Sequence, residues 1–121
     1  MRLRILTLGL ILCLPPFAAR ADDGVPPEID FLLESIGSSN CTFIRNGEHH
    51  DSRAAEEHLR TKYRRGKRYA TSSEKFIERL ASKSSLSKKL YYIECEGEEK
   101  VPSGDWLMER LGEYRTGASE F

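Results

Sequence analysis

The chain has 121 residues, 19 basic and 19 acidic side chains, no net charge and 39% hydrophobic residues. That length holds one small domain with a modest core. The charges are mixed along the sequence, which argues against nucleic acid as a dedicated partner.

Arg2 and Arg4 open the chain, Ile5 to Phe17 is an apolar run broken late by Pro15 and Pro16, and Ala19-Arg20-Ala21 follows. A basic start, a short apolar run and a small-x-small site read as a cleaved secretory signal over residues 1–21. The run is shorter than the roughly 20 residues that a membrane span needs. Cys13 raises lipidation as a rival, but Leu12 stands before it where a lipoprotein signal has a small residue, so Cys13 reads as a discarded signal residue. The expected mature domain is residues 22–121. Its 16 basic and 19 acidic residues give a net charge of about −3. It has no second apolar run to anchor it. The expected location is the periplasm or the medium.

Pro26-Pro27 opens a first helix whose apolar face is Ile29, Leu32, Leu33 and Ile36, with Gly37 as its stop. Cys41 to Arg45 reads as a strand and Asn46-Gly47 as a tight turn. No strand is expected after the turn. Asp51 or Ser52 caps a second helix to about Arg65, with Ala55, Leu59 and Tyr63 inward and His58 beside them. Thr71-Ser72-Ser73-Glu74 reads as a capping box for a third helix that turns Phe76, Ile77, Leu80 and Ala81 inward. That helix gives way at Ser82-Lys83-Ser84-Ser85. Leu90 to Cys95 is the second strand, Gly97 to Pro102 a loop, and Asp105 the cap of a last helix that frays from Gly112.

The expected fold is α+β: a two-stranded antiparallel sheet against about four helices, with one disulfide. Without Cys13, only Cys41 and Cys95 remain to pair in an oxidising compartment. Their pairing sets a register in which partner numbers sum to 136, so that Phe43 meets Ile93 and Arg45 meets Tyr91. The bridge closes a loop of about 55 residues and stabilises by roughly 4 kcal/mol in the chain-entropy estimate.

This topology gathers Arg45, Asn46, His49, His50, Ser82, Lys83, Ser84, Ser85 and Tyr91 at the pole away from the cysteines, beside the start of the second helix, where free N–H groups favour an anion. Arg45, Asn46, His50, Ser82, Ser84, Ser85 and Tyr91 are the candidate ligand-binding residues. No catalytic residue, metal or cofactor is assigned. His49, His50, Asp51 and His58 include metal-ligand types, but Ala54 stands where a carboxylate would complete the His50–His58 stripe. Ser85-Leu86-Ser87-Lys88 fits S-x-x-K without its companion motifs. The leading expectation is an envelope binding or interaction module with an unknown ligand or protein partner. The alternative is a small envelope hydrolase with His50 or His58 as base and a nearby Ser.

Phe43-Ile44-Arg45-Asn46-Gly47, then His50, Ala55 and His58-Leu59, resembles the signature of the YfeK-like family of small periplasmic bacterial proteins. The likeness continues through Thr71, Glu74-Lys75-Phe76-Ile77, Ala81-Ser82-Lys83-Ser84-Ser85 and Tyr91. It implies a secreted envelope protein of uncharacterised activity. Family members carry Glu where Ala54 stands, and Gly-Lys-Pro where this chain has Lys88-Lys89-Leu90.

Overall fold

The computed structural model describes residues 24–117 and residue 9. Apart from residue 9, the expected signal peptide, with Cys13, lies outside the described residues. The elements run α1 (Pro27–Gly37), β1 (Thr42–Arg45), β2 (Glu48–His50), α2 (Ser52–Gly66), α3 (Ser73–Phe76), β3 (Tyr92–Glu94), β4 (Val101–Pro102) and α4 (Ser103–Gly117). The fold is α+β with four helices and the Cys41–Cys95 disulfide.

The sheet has four strands in the order β2-β1-β3-β4, not the two expected. Asn46 and Gly47 both take positive φ, 52° and 81°, which is the backbone of the tight turn whose twist matches a hairpin. A strand does follow that turn: β2 pairs with β1 through Phe43↔His50, Ile44↔His49 and Arg45↔Glu48. Glu-His-His lacks the β-branched residues that mark strands, and the pairing with β1 overrides that weak propensity. Val101–Pro102 pairs with β3 instead of staying a loop. Pro is tolerated there because β4 is an edge. The β1–β3 ladder is antiparallel and in the expected register, Thr42↔Glu94, Phe43↔Ile93 and Ile44↔Tyr92, with the disulfide one step beyond its end.

Helices α1 and α2 start and stop where their Pro, Asp and Gly signals stand; the Asp51 carboxylate accepts the Ala54 N–H at 2.8 Å. The cap of α3 is Ser72 rather than Thr71, its hydroxyl accepting from Lys75 N–H. Three hydroxyls in a row leave the choice to tertiary packing. α3 passes directly into a wider π-helical turn, Ile77–Ala81. α4 begins at Ser103, two residues before the expected cap, and continues past Gly112 to Gly117. Ser103, 1% exposed, donates its N–H to the Tyr91 carbonyl and its hydroxyl to the Ala81 carbonyl, fixing the start of α4 to the strand and to the end of the π turn.

The helices close over one sheet face. Ile29, Leu32, Leu33 and Ile36 meet Ala55, Leu59, Phe76, Leu80, Leu107 and Leu111, with Phe43 and Tyr91 as the strands' contribution. Phe43 and Tyr91 lie with ring centroids 5.2 Å apart. Among the described residues, no helix is long and apolar enough to cross a membrane.

Candidate functional site

On the helix-facing side of the sheet, β1 ends in Arg45, and alternation puts Arg45 on the same face as Phe43. His50 shares that face on β2, opposite Phe43. The Tyr91 ring is buried at 2% exposure just before β3. Helix α2 closes the site. Its buried stripe is Ala55, Leu59 and Tyr63, and the neighbouring positions His58 and Lys62, one turn apart, lie on its flank toward the sheet.

These side chains meet. Lys62 Nζ donates to the Tyr91 hydroxyl and to the Lys83 carbonyl, both at 3.0 Å, and sits 4.9 Å from the Tyr91 ring centroid. His58 Nε2 is 3.5 Å from the same hydroxyl. Arg45 Nη1 is 3.4 Å from both ring nitrogens of His58. One atom cannot lie along two diverging in-plane nitrogen directions, so the guanidinium rests against the imidazole rather than making one directed bond.

The electrostatics are one-sided. His58 is pushed down to about 4, by burial first and then by Arg45, Lys62 and His50. It is therefore neutral at pH 7. Lys62 is pushed down to about 8, again by burial first and then by Arg45 and Lys88. Burial raises the Tyr91 phenol, and Arg45 works against that rise. Among the described residues neither Arg45 nor Lys62 forms an ion pair, whereas Arg53, Arg60, Arg110 and Arg115 each face a carboxylate. Two half-buried cations, a phenol donor and a neutral imidazole make a natural seat for an anion.

The other sequence candidates fall around this cluster. The Asn46 Oδ1 accepts from the Ser87 hydroxyl at 2.7 Å, tying the hairpin tip to the loop before β3. His50 Nε2 is buried without a hydrogen bond and lies 3.8 Å from Glu48. The Ser82 hydroxyl donates to the Ile77 carbonyl at 2.6 Å. The buried Ser84 hydroxyl accepts the Ser87 N–H. Ser85 is exposed and takes no hydrogen bond among the described residues. The first turn of α2 is occupied by its own Asp51 carboxylate, so the cationic centre is on the flank of that helix and not at its start. No serine hydroxyl is hydrogen-bonded to His50 or His58 among the described residues, where the hydrolase alternative needs one. No three His, Cys, Asp or Glu side chains among them gather as a metal site.

Lys62 is the residue that sequence reasoning missed. It stands in a basic run, Arg60 to Arg68, where only its place one turn after His58 sets it apart.

A small α+β domain with this sequence pattern belongs to a family of unknown function, DUF5329, which matches residues 24–115. The chain is 32% identical over 85 residues to "Uncharacterized protein YfeK" of Salmonella typhimurium, covering 69% of this chain and 70% of that protein. The likeness read from the Phe43–Tyr91 signature is thus a family relationship. No solved structure matches the chain.

Proposed function

We propose that this chain is an exported envelope protein, periplasmic or secreted, and that it works as a binding module. Its Arg45–His58–Lys62–Tyr91 cluster holds an anionic group, a carboxylate or a phosphate, of an envelope ligand or partner. The observation that carries the binding reading is the gathering of two half-buried cations without an ion pair among the described residues, Arg45 against the His58 ring and Lys62 on the Tyr91 hydroxyl, which His58 also approaches. An anion there would offset two desolvated charges and accept from Lys62 and Tyr91 together. Support for export is the basic start, the apolar run to Phe17 and Ala19-Arg20-Ala21.

The test has two arms. Mass spectrometry of the chain recovered from fractionated cells should give Asp22 as the N-terminus; Met1 retained in the cytosolic fraction rejects export. Inorganic phosphate should raise the melting temperature of the wild type and leave that of Arg45→Ala unmoved. Equal responses in the two proteins, or none in the wild type with either phosphate or acetate, reject the anion site.

A further inference from the structure

We propose that the loop from Ser84 to Leu90 docks on an anionic phospholipid surface, with Leu86 entering the interface and the surrounding lysines at the headgroup phosphates. The inference rests on the anion-site reading above and names the source of the anion.

Leu86 is 95% exposed, far more than Leu90 or Met108, each at 46%. The loop that presents it is built, not slack. Ser84 N–H donates to the Lys89 carbonyl, Lys88 N–H to the Ser84 carbonyl, and Ser87 N–H to the Ser84 hydroxyl. The Ser87 hydroxyl accepts from Lys89 N–H and donates to Asn46 on the hairpin. Lys88 takes a left-handed φ of 65° to close the turn. Five hydrogen bonds thus hold an apolar side chain out in water, where the fold gains nothing from it.

The charge around it has one sign. Lys88 and Lys89 belong to the loop, Lys83 directly precedes it, and Lys83 carries the carbonyl that Lys62 grips. Arg45 stands behind. None of these five makes an ion pair among the described residues, and the hairpin carboxylate, Glu48, turns toward His50. This is a basic patch on a chain whose remaining balance is acidic. A protein partner would need a broad complementary face, about 800 Å² on each side. One apolar tip ringed by lysines offers little such area. A bilayer asks for no shape match, only an apolar tip at the acyl boundary and cations at the phosphates.

The test takes the protein with the N-terminus it carries in the cell. It measures binding to phosphatidylcholine vesicles with and without about 30 mol% phosphatidylglycerol, at low and high salt. Binding should need phosphatidylglycerol and weaken with salt. Leu86→Ser should bind roughly 10- to 100-fold more weakly, Lys89→Gln about five-fold more weakly, and Met108→Ser as the wild type does. No vesicle binding, equal binding to both vesicles, capture by envelope proteins alone, or Leu86→Ser binding like the wild type overturns the proposal. Inorganic phosphate separates the two readings. A phosphate response shared by wild type and Leu86→Ser, without vesicle binding, removes the lipid proposal and keeps the anion site. Leu86-dependent vesicle binding that survives in Arg45→Ala, with no phosphate response, removes the anion site and keeps the loop.

Discussion

The Lys62 ammonium bridges two elements of the site at once, donating to the Tyr91 hydroxyl and to the Lys83 carbonyl at 3.0 Å each. It holds α2 to the end of the π turn and to the strand that follows. Tyr91→Phe keeps the ring against Phe43 and removes only the hydroxyl, so it should cost roughly 1.5–3 kcal/mol, the scale of one hydrogen bond to a charged group. Lys62→Met loses both bonds but also removes a half-buried cation repelled by Arg45 and Lys88. Its folded pKa of about 8 lies below the unfolded 10.5. Between those values the unfolded chain binds more protons, so Lys62 makes stability rise with pH. Above about pH 10 the raised Tyr91 pKa acts the other way. Urea titrations between about pH 8 and 10 should therefore show a smaller rise in Lys62→Met than in the wild type. An identical rise in both would mean that Lys62 is not desolvated.

His58 gives a second, separate window. Its folded pKa of about 4 lies below the ordinary 6.5. The stability tied to keeping it neutral is complete above pH 6.5 and is lost as the pH falls toward 4. His58→Gln should flatten the stability profile across that interval. NMR titration of the imidazole adds a direct readout: saturating phosphate should raise the His58 pKa, because an anion beside Arg45 and Lys62 offsets the charges that hold it down. A His58 pKa that ignores phosphate would leave the cluster without its anion.

Much of this was legible because two cysteines fixed a register. Once Cys41 faces Cys95, the ladder places Phe43 with Ile93 and brings Arg45 and Tyr91 to the same end. What stayed hidden depended on contacts far apart in sequence. β2 is a strand because β1 offers it a partner, not because Glu48-His49-His50 favours extension. Val101–Pro102 pairs as an edge, the one setting that suits a proline, and reads as a loop without its neighbour β3. Lys62 is one cation among many in its helix until the fold supplies Tyr91 and the Lys83 carbonyl. The tie from α2 to the chain just past the π turn is made by Lys62, through the Lys83 carbonyl.

The Cys41–Cys95 bridge spans 54 positions and joins the ends of the two central strands. In the chain-entropy estimate such a loop is worth about 4 kcal/mol, against a total of roughly 5–15 kcal/mol for a domain of this kind. Cys41→Ala/Cys95→Ala, made together so that no lone thiol remains, should lower the unfolding free energy by about that amount in urea. A loss below about 1 kcal/mol would mean that the reduced chain is already confined by other contacts. The phosphate response should survive in the folded fraction, because Arg45 and Lys62 lie at the other end of the ladder.

Arg115 explains why α4 does not fray after Gly112. Its guanidinium reaches Glu28 in the first turn of α1, at 2.9 Å, and Glu74 in the first turn of α3, at 2.7 Å. Ser73 adds its hydroxyl to Glu28 at 2.6 Å. Acids at two helix starts and a cation near a helix end suit all three dipoles. The Arg115 and Ser73 bonds pull Glu28 down to about 2, and its contact with Arg115 also lowers Glu74. A carboxylate depressed in the folded state gives stability that is complete above its unfolded pKa near 4.5 and is lost as the pH falls toward 2. Arg115→Ala should remove most of that acid dependence, leaving a flatter profile between pH 4.5 and 2 while the His58 interval above it keeps its slope. Hydrogen exchange should show the last turn of α4 opening in the variant at neutral pH. Protection of that turn unchanged in Arg115→Ala would assign the order of the helix end to its own backbone, and the three-helix clamp would be only a surface contact.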